Sequence, residues 1–458
     1  MIQAFRAYGD SVAYRWVTRS RMATFFTQAP PPVAPVLENA VFLRATTLPH
    51  TQGLATLVAA VGLLIALFYG YGIPAAMLGV FLVALYYPTL ALGCTPALLI
   101  WAPRLPLATL GDEIFFLRLD QAAIAGMLVA LVTNPRLEIR TPPAHTAFLL
   151  YLMVIVVSII AGGAQGTLTT PTSALLYLAQ WLTWYALFVA AYSLAPGLGN
   201  TTAYVWGVPL IALAGYGLAE NAWPLYEDPG VAYRTFERGL FPGQANHAGG
   251  LFALATVTGI ALATVPRHRI LGLALAILAS LALLPTGSRS GALAWMAGCG
   301  TLALLYCPPL RWWTPPLAVL AVVALPTTLW YRFSAPGSSM YDRLVAWKSA
   351  LSTVADFPVL GLGAGARHRS FYDNHFVMTL AESGFLGLLL MTTFLALLFR
   401  ATANPMAQPR NWMATGACAA LVAMVVHSMA TSTFIVTLVA GPFFWYYGVT
   451  LRLTAPRP

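Results

Sequence analysis
Three short stretches gather the residue types that could do chemistry. In the first, Arg234-Thr-Phe-Glu-Arg238-Gly-Leu-Phe-Pro-Gly-Gln-Ala-Asn246-His247 runs straight into an apolar segment. Asn246 is placed to cap a helix there, with His247 in its first turn; a plain cap followed by a polar interfacial residue accounts for both. Arg238 is harder to explain, because it stands beside an apolar Gly-Leu-Phe-Pro turn, apart from the arginines of the short loops. In the second, Thr286-Gly-Ser288-Arg289-Ser290-Gly291 is a turn of small residues between two apolar runs. Backbone N–H groups at a helix start, the hydroxyls of Ser288 and Ser290 and the Arg289 guanidinium would suit a phosphate. The alternative is an arginine that snorkels to a membrane interface.

The third stretch is Pro358-Val-Leu-Gly361-Leu-Gly363-Ala-Gly365, followed by Asp373-Asn374-His375, Thr379 and Glu382-Ser-Gly-Phe-Leu-Gly387. No strand precedes these glycines and no Gly-Lys-Ser/Thr follows them, so they read as a tight turn and not a nucleotide loop. Asn374 can cap the next helix. His375, Thr379 and Glu382, at i, i+4 and i+7, then share one helix face, which puts an imidazole at the mouth of a bundle. A single interfacial histidine also occurs in purely structural settings.

The elements that must position these residues are membrane spans. Of 458 residues, 59% are hydrophobic and 8% charged, against roughly 25% charged in a soluble domain, which excludes a water-soluble fold. The net charge of +10 comes from arginines and the single Lys348. These form no runs and do not alternate with exposed aromatics, so we expect no nucleic-acid partner. Cys94, Cys299, Cys307 and Cys418 lack metal-ligand spacing, and no Asp-x-Asp pair lies in the long loops, so we expect neither metal nor cofactor. The adjacent acids Asp112-Glu113 and Glu227-Asp228 read as interfacial charges.

Apolar runs long enough for a bilayer of about 30 Å lie near 114–133, 145–163, 174–195, 203–219, 247–265, 269–285, 291–307, 313–331, 376–399, 412–428 and 433–452. The apolar stretch 54–101 is interrupted by Gly70, Gly72, Pro74, Pro88 and Pro96. Arg136 and Arg140, Arg267 and Arg269, Arg311, then Arg400 and Arg410 fall on alternate connections, which assigns those connections to the cytoplasm. Residues 220–246 and 332–375 then share the opposite side. With both termini basic and inside, the total must be even, and about twelve helices satisfy it. Within the second long connection, Leu344, Trp347, Leu351 and Val354 recur at helical spacing, which predicts an amphipathic helix over 338–356 lying along the membrane surface. No internal repeat of the kind found in many transporters is present.

The order of motifs resembles the O-antigen ligase family. It runs from an Arg-Gly-Leu-Phe turn ending in Asn246-His247, through Ser288-Arg289-Ser-Gly, Arg343 with Trp347 and Pro358-Val-Leu-Gly-Leu-Gly, to Asn374-His375 and Ala-Glu382-Ser-Gly-Phe-Leu-Gly387. The same superfamily holds O-antigen polymerases and bacterial protein O-oligosaccharyltransferases. One departure stands out: the family writes His-Asn ahead of its Glu-x-Gly, whereas here Asp373 occupies the histidine's place and His375 follows Asn374.

The resemblance implies an all-α, GT-C-like, polytopic integral membrane protein of about 12 transmembrane helices, with a long periplasmic loop containing short amphipathic helices. On this reading 1–53 is a cytoplasmic N-terminal segment and 54–331 a transmembrane bundle with a periplasmic loop at 220–246. Residues 332–375 form the long periplasmic loop, and 376–458 the C-terminal spans and a short cytoplasmic tail. It implies an inverting, metal-independent glycosyltransferase of the Gram-negative inner membrane with its active site facing the periplasm. The donor would be a polysaccharide on undecaprenyl pyrophosphate and the acceptor lipid A-core, among membrane lipids. Arg238 and Arg289 would stabilise the leaving pyrophosphate and His375 would be the general base, with Asp373 as its rival. Arg234, Asn246, His247, Ser288, Ser290, Asp373 and Asn374 would line the substrate site. A polymerase or protein-glycosylating enzyme would share the donor site. A multispan transporter would instead place ionisable groups near the midplane.

Overall fold
A computed structural model describes residues 72–101, 105–110, 113–168, 171–222, 245–307, 339–366, 374–406 and 411–455. The N-terminal segment 1–53, the predicted span 313–331 and most of the 220–246 loop lie outside the described residues, as do Arg234, Arg238, Asp373, Asp112, Glu227, Asp228, Arg311 and Arg410.

The described chain is helical apart from one short hairpin. Helices α1 (Gly72–Tyr86) and α2 (Pro88–Trp101) occupy the Gly- and Pro-interrupted stretch. Strands β1 (Leu105–Leu110) and β2 (Glu113–Leu117) pair antiparallel. Then come α3 (Leu119–Thr133), α4 (His145–Gln165), α5 (Pro171–Leu194), α6 (Thr202–Ala222), α7 (Ala245–Ala263), α8 (Arg269–Leu283) and α9 (Arg289–Tyr306). The chain closes with α10 (Ser339–Asp356), α11 (His375–Met406), α12 (Trp412–Ser428) and α13 (Thr437–Thr454). The hairpin corrects the expected span 114–133, whose helix begins at Leu119: apolarity alone does not separate a short strand from the start of a helix.

Six of the described helices, α4 to α8 and α11, are long and apolar enough to cross a membrane. Helices α1, α2, α3 and α12 are apolar but shorter. Their large side chains split between two destinations. Met153, Ile160, Ile270 and Ile277 point outward, as a lipid-facing surface requires. Phe148, Trp181, Trp184, Phe188, Phe394 and Phe444 interlock edge-to-face and stacked between α4, α5, α11 and α13. Helix α7 is central, 83% of its apolar window being buried. Its small residues allow that depth: a Cβ on Gly259 would lie 2.7 Å from the Ala276 backbone of α8, and one on Gly272 2.3 Å from that of Ala263. Close approach of small residues is how helices pack where lipid removes the hydrophobic drive. Pro96 leaves the Leu92 carbonyl without its helical donor, and Trp445 Nε1 of α13 supplies one at 2.9 Å.

A helix, α10, occupies the predicted segment and packs on α11, but the expected apolar face is only partly the one it buries. Ala350 and Val354 are buried there, while Leu344 and Leu351 are exposed.

The connections sort to two ends. At one, the Arg140 backbone meets Ser193 at the end of α5, the His268 ring meets Tyr204 of α6 at 5.3 Å, and Arg452 stacks on Tyr192. The starts of α7, α9 and α11 and the end of α12 collect at the other end.

Candidate functional site
The start of α9 is a capped turn. Ser288 is the N-cap, with extended backbone and a side chain that accepts from Gly291 N at 3.0 Å. Thr286 Oγ1 in turn accepts from Ser288 N at 3.2 Å. Ser290 Oγ lies 3.2 Å from both Ser288 Oγ and Thr431 Oγ1. Both serines are buried and their hydroxyls engaged within the protein, whereas Arg289 is exposed. The serines therefore shape the turn, and the guanidinium and the positive helix end are what an anion would meet.

Helix α7 starts alongside. The described part of α7 runs from Ala245 and includes Asn246 and His247, so the expected capping role for Asn246 is corrected. A Cβ on Gly291 would lie 2.7 to 2.9 Å from the Gly249 backbone, so two helix N-termini meet backbone to backbone.

At α11, Asn374 is the expected cap: its Oδ1 accepts from Phe376 N at 3.0 Å and Val377 N at 3.1 Å. His375 corrects its expected setting at the mouth of the bundle. It is fully buried, with its ring 6.0 Å from Trp181 and 5.5 Å from Phe434, centroid to centroid. The apolar walls of α5 and the turn before α13 draw the imidazole inward from the helix end. Neither ring nitrogen has a hydrogen-bond partner. Thr379 and Glu382 are buried on the same face, as their spacing predicted. Around them stand the buried Tyr151 and Tyr177 hydroxyls and the Trp181 indole N–H, joined only by marginal contacts, Tyr151 with Tyr177 and Thr379 and Tyr177 with Trp181, and with both tyrosines within electrostatic reach of Glu382. A buried polar group left unsatisfied costs about 1–3 kcal/mol, and the two His375 nitrogens carry that cost outright.

The glycine stretch does more than turn. Gly384 (φ 66°) breaks α11, so the amides of Phe385 and Leu386 no longer reach the carbonyls of Ala381 and Glu382. The Pro358–Gly363 segment supplies both sets of partners: Phe385 N and Leu386 N donate to the carbonyls of Pro358 and Val359, and Leu362 N and Gly363 N donate to those of Ala381 and Glu382. Irregular backbone at membrane depth is tolerated only when paired in this way within protein. Gly361 (φ 67°) has Ala381 O 2.5 Å from where a Cβ would stand, so no side chain fits. Leu362 O also accepts from Thr167 Oγ1, and Ala364 N donates to Ser158 Oγ, which ties the loop to α4 and its C-terminal end.

Sequence reading missed the segment that joins these parts. His427, at the end of α12, is fully buried; its Nε2 donates to the Asn246 carbonyl at 3.0 Å and its Nδ1 lies 2.7 Å from Thr433 Oγ1. The following turn reaches Ser290 through Thr431 and His375 through Phe434. A histidine inside an apolar span was the available signal. Also missed was the buried ion pair of Arg118 with Asp120, in which Arg118 bonds Thr437 and lies 5.7 Å from the Trp184 ring. Among the described residues, no three His, Cys, Asp or Glu side chains converge as metal ligands would.

The deciding observation lies on this same stretch of chain. Residues 274–392 match the O-antigen ligase family. The match covers a little over a quarter of the chain and spans the capped Arg289 turn, α10, the glycine loop and the broken helix that carries His375. The resemblance to the O-antigen ligase superfamily is thereby supported on the second and third motif stretches; the first stretch and the His427 turn lie outside the match. None of the curated proteins compared with the chain matches it significantly.

Proposed function
We propose that this protein is an O-antigen ligase: a multi-pass enzyme of the Gram-negative inner membrane, of about twelve spans, working at its periplasmic face. It transfers polysaccharide from undecaprenyl pyrophosphate to a sugar hydroxyl of lipid A-core. The observation that carries the reading is the capped α9 start with its exposed Arg289, inside the matched segment and against the start of α7. As the glycosidic bond to the pyrophosphate breaks, negative charge grows on the leaving phosphate, and a guanidinium at a positive helix end stabilises it. Arg238 is the proposed second cation, with Arg234 and His247 nearby in sequence. The acceptor oxygen attacks opposite the leaving group, which inverts the anomeric carbon, and its proton passes to a base at the start of α11.

His375 is the proposed base by residue type. Its burial means that the acceptor hydroxyl must enter the Trp181–Phe434 pocket to reach it. Asp373 is the rival that the family's motif order favours. Two arginines suffice for the pyrophosphate charge, so no metal is invoked.

The test is reconstitution of purified protein with a lipid-linked glycan, offering lipid A-core, free glycan or a peptide as acceptor, with and without excess chelator. Transfer to lipid A-core that persists in chelator is expected. Elongation of the glycan alone would make it a polymerase, transfer to peptide a protein glycosylase, and rescue by magnesium would overturn the metal-free mechanism.

A further inference from the structure
The turn that follows α12 lies beyond the matched segment and has no part in the chemistry above, yet it joins the two helix starts. His427 Nε2–H donates to the carbonyl of Asn246, in the first turn of α7. Room for that contact exists because residue 250 is glycine: a Cβ there would lie 2.6 Å from His427 Cε1 and 2.7 Å from Nε2. From the other ring nitrogen the path continues to Thr433 Oγ1 at 2.7 Å. Two residues earlier in the same turn, Thr431 Oγ1 contacts Ser290 Oγ, which contacts the capping hydroxyl Ser288 Oγ, each at 3.2 Å. All five side chains are buried, so neither water nor lipid competes for these bonds.

We propose that His427, acting through Thr433 and Thr431, is a positioning residue that fixes the starts of α7 and α9 relative to each other so that they receive a lipid pyrophosphate together. This rests on the anion-binding reading of the Arg289 turn. A diphosphate carries its charge on two centres, and the benefit of a helix end falls off within its first turn. Two converging helix starts therefore bind it well only when their separation is held. Gly249 against Gly291 lets the two helices approach closely, and the His427 path ties the first turn of α7 to the turn that contacts the α9 cap.

The experiment measures binding of a polyprenyl pyrophosphate, with inorganic pyrophosphate as headgroup alone, to full-length protein in nanodiscs. His427→Ala and Thr433→Val are each expected to weaken binding about tenfold, the worth of one buried hydrogen bond, without changing the KM for acceptor. His427→Gln, whose amide can still donate to Asn246, should recover most of it. Gly250→Ala, which displaces the ring, should weaken binding alone but add nothing to His427→Ala, because both break one contact. If His427→Ala does not fold, Thr433→Val, which keeps side-chain volume, carries the test. Wild-type protein that binds the lipid while every variant binds equally overturns the proposal. Wild-type protein that does not bind overturns the anion-site reading on which it rests.

Discussion

His375 and His427 are both fully buried at the same end of the bundle, and they differ in one respect. Both nitrogens of His427 are hydrogen bonded, whereas neither nitrogen of His375 is. A membrane interior penalises an unpartnered polar group more than water does, so a histidine kept there needs a reason. For His427 the reason is structural, since its bonds join α7, α12 and the turn before α13. His375 contributes no such bond, and its neighbours Tyr151, Tyr177 and Trp181 are held to one another only by marginal contacts. An ionisable side chain kept at membrane depth without a structural bond is by default a functional candidate. Removing His427 should therefore harm the fold first, and removing His375 the reaction first.

The largest expected effect tests the second half of that contrast. His375→Phe keeps a ring in the Trp181–Phe434 pocket and removes only the nitrogens. It should leave stability within about 1 kcal/mol of wild type, because no hydrogen bond is lost. Single-turnover transfer should fall by about 10² to 10⁴, the usual worth of a general base. If Asp373→Asn is the crippling change and His375→Phe is nearly silent, the base is Asp373, and the unpartnered imidazole needs another explanation. Next in size is Gly361→Ala. It would combine a left-handed backbone with a Cβ 2.5 Å from Ala381 O, and should destabilise by about 2–4 kcal/mol, read as a lowered midpoint of unfolding in detergent. A midpoint unchanged by Gly361→Ala would mean that the backbone exchange with α11 does not hold the broken helix.

Much of this arrangement was legible beforehand, and the exceptions have physical causes. Apolar runs located most helices because length and hydropathy are what a bilayer selects. Asn374 was readable as a cap because capping needs a short polar side chain at a fixed offset. Asn246 looked the same but lies inside its helix, a distinction that side-chain type does not encode. The exchange between Pro358–Gly363 and the break at Gly384 is made of backbone hydrogen bonds, so it left only glycines as a trace. Tyr151, Tyr177 and Trp181 were hidden for the opposite reason, since aromatic residues in membrane spans are ordinarily packing. His427 stood alone in an apolar run without a motif around it, and its partners come from residues 180 or so positions away as well as nearby.

A smaller effect tests the first half of the contrast. His427→Ala leaves the Thr433 hydroxyl with only its longer 3.3 Å contact to the Thr431 carbonyl and opens a cavity beside Gly250. It should lower stability by about 1–3 kcal/mol, while Thr433→Val, which removes one bond and little volume, should lie at the low end of that range. Equal stability for His427→Ala and His375→Phe would erase the distinction between the two histidines.

The smallest effect is the most exacting. Tyr177→Phe removes a buried hydroxyl whose contacts with Tyr151 and Trp181 are marginal, so little bonding is lost. Removing so weakly bonded a polar atom is nearly neutral, within about 0.5 kcal/mol of wild type, and Tyr151→Phe should behave alike. These near-zero values separate two accounts of the His375 patch. If both substitutions leave stability unchanged but slow transfer, the hydroxyls are held for the reaction, as the unpartnered imidazole is. If either destabilises by more than about 1 kcal/mol, the hydroxyl had a partner in the resting protein, an ordered water being the natural one at such a site. The patch would then be a satisfied network like that of His427, and the contrast between the two histidines would reduce to which of them is bonded through water.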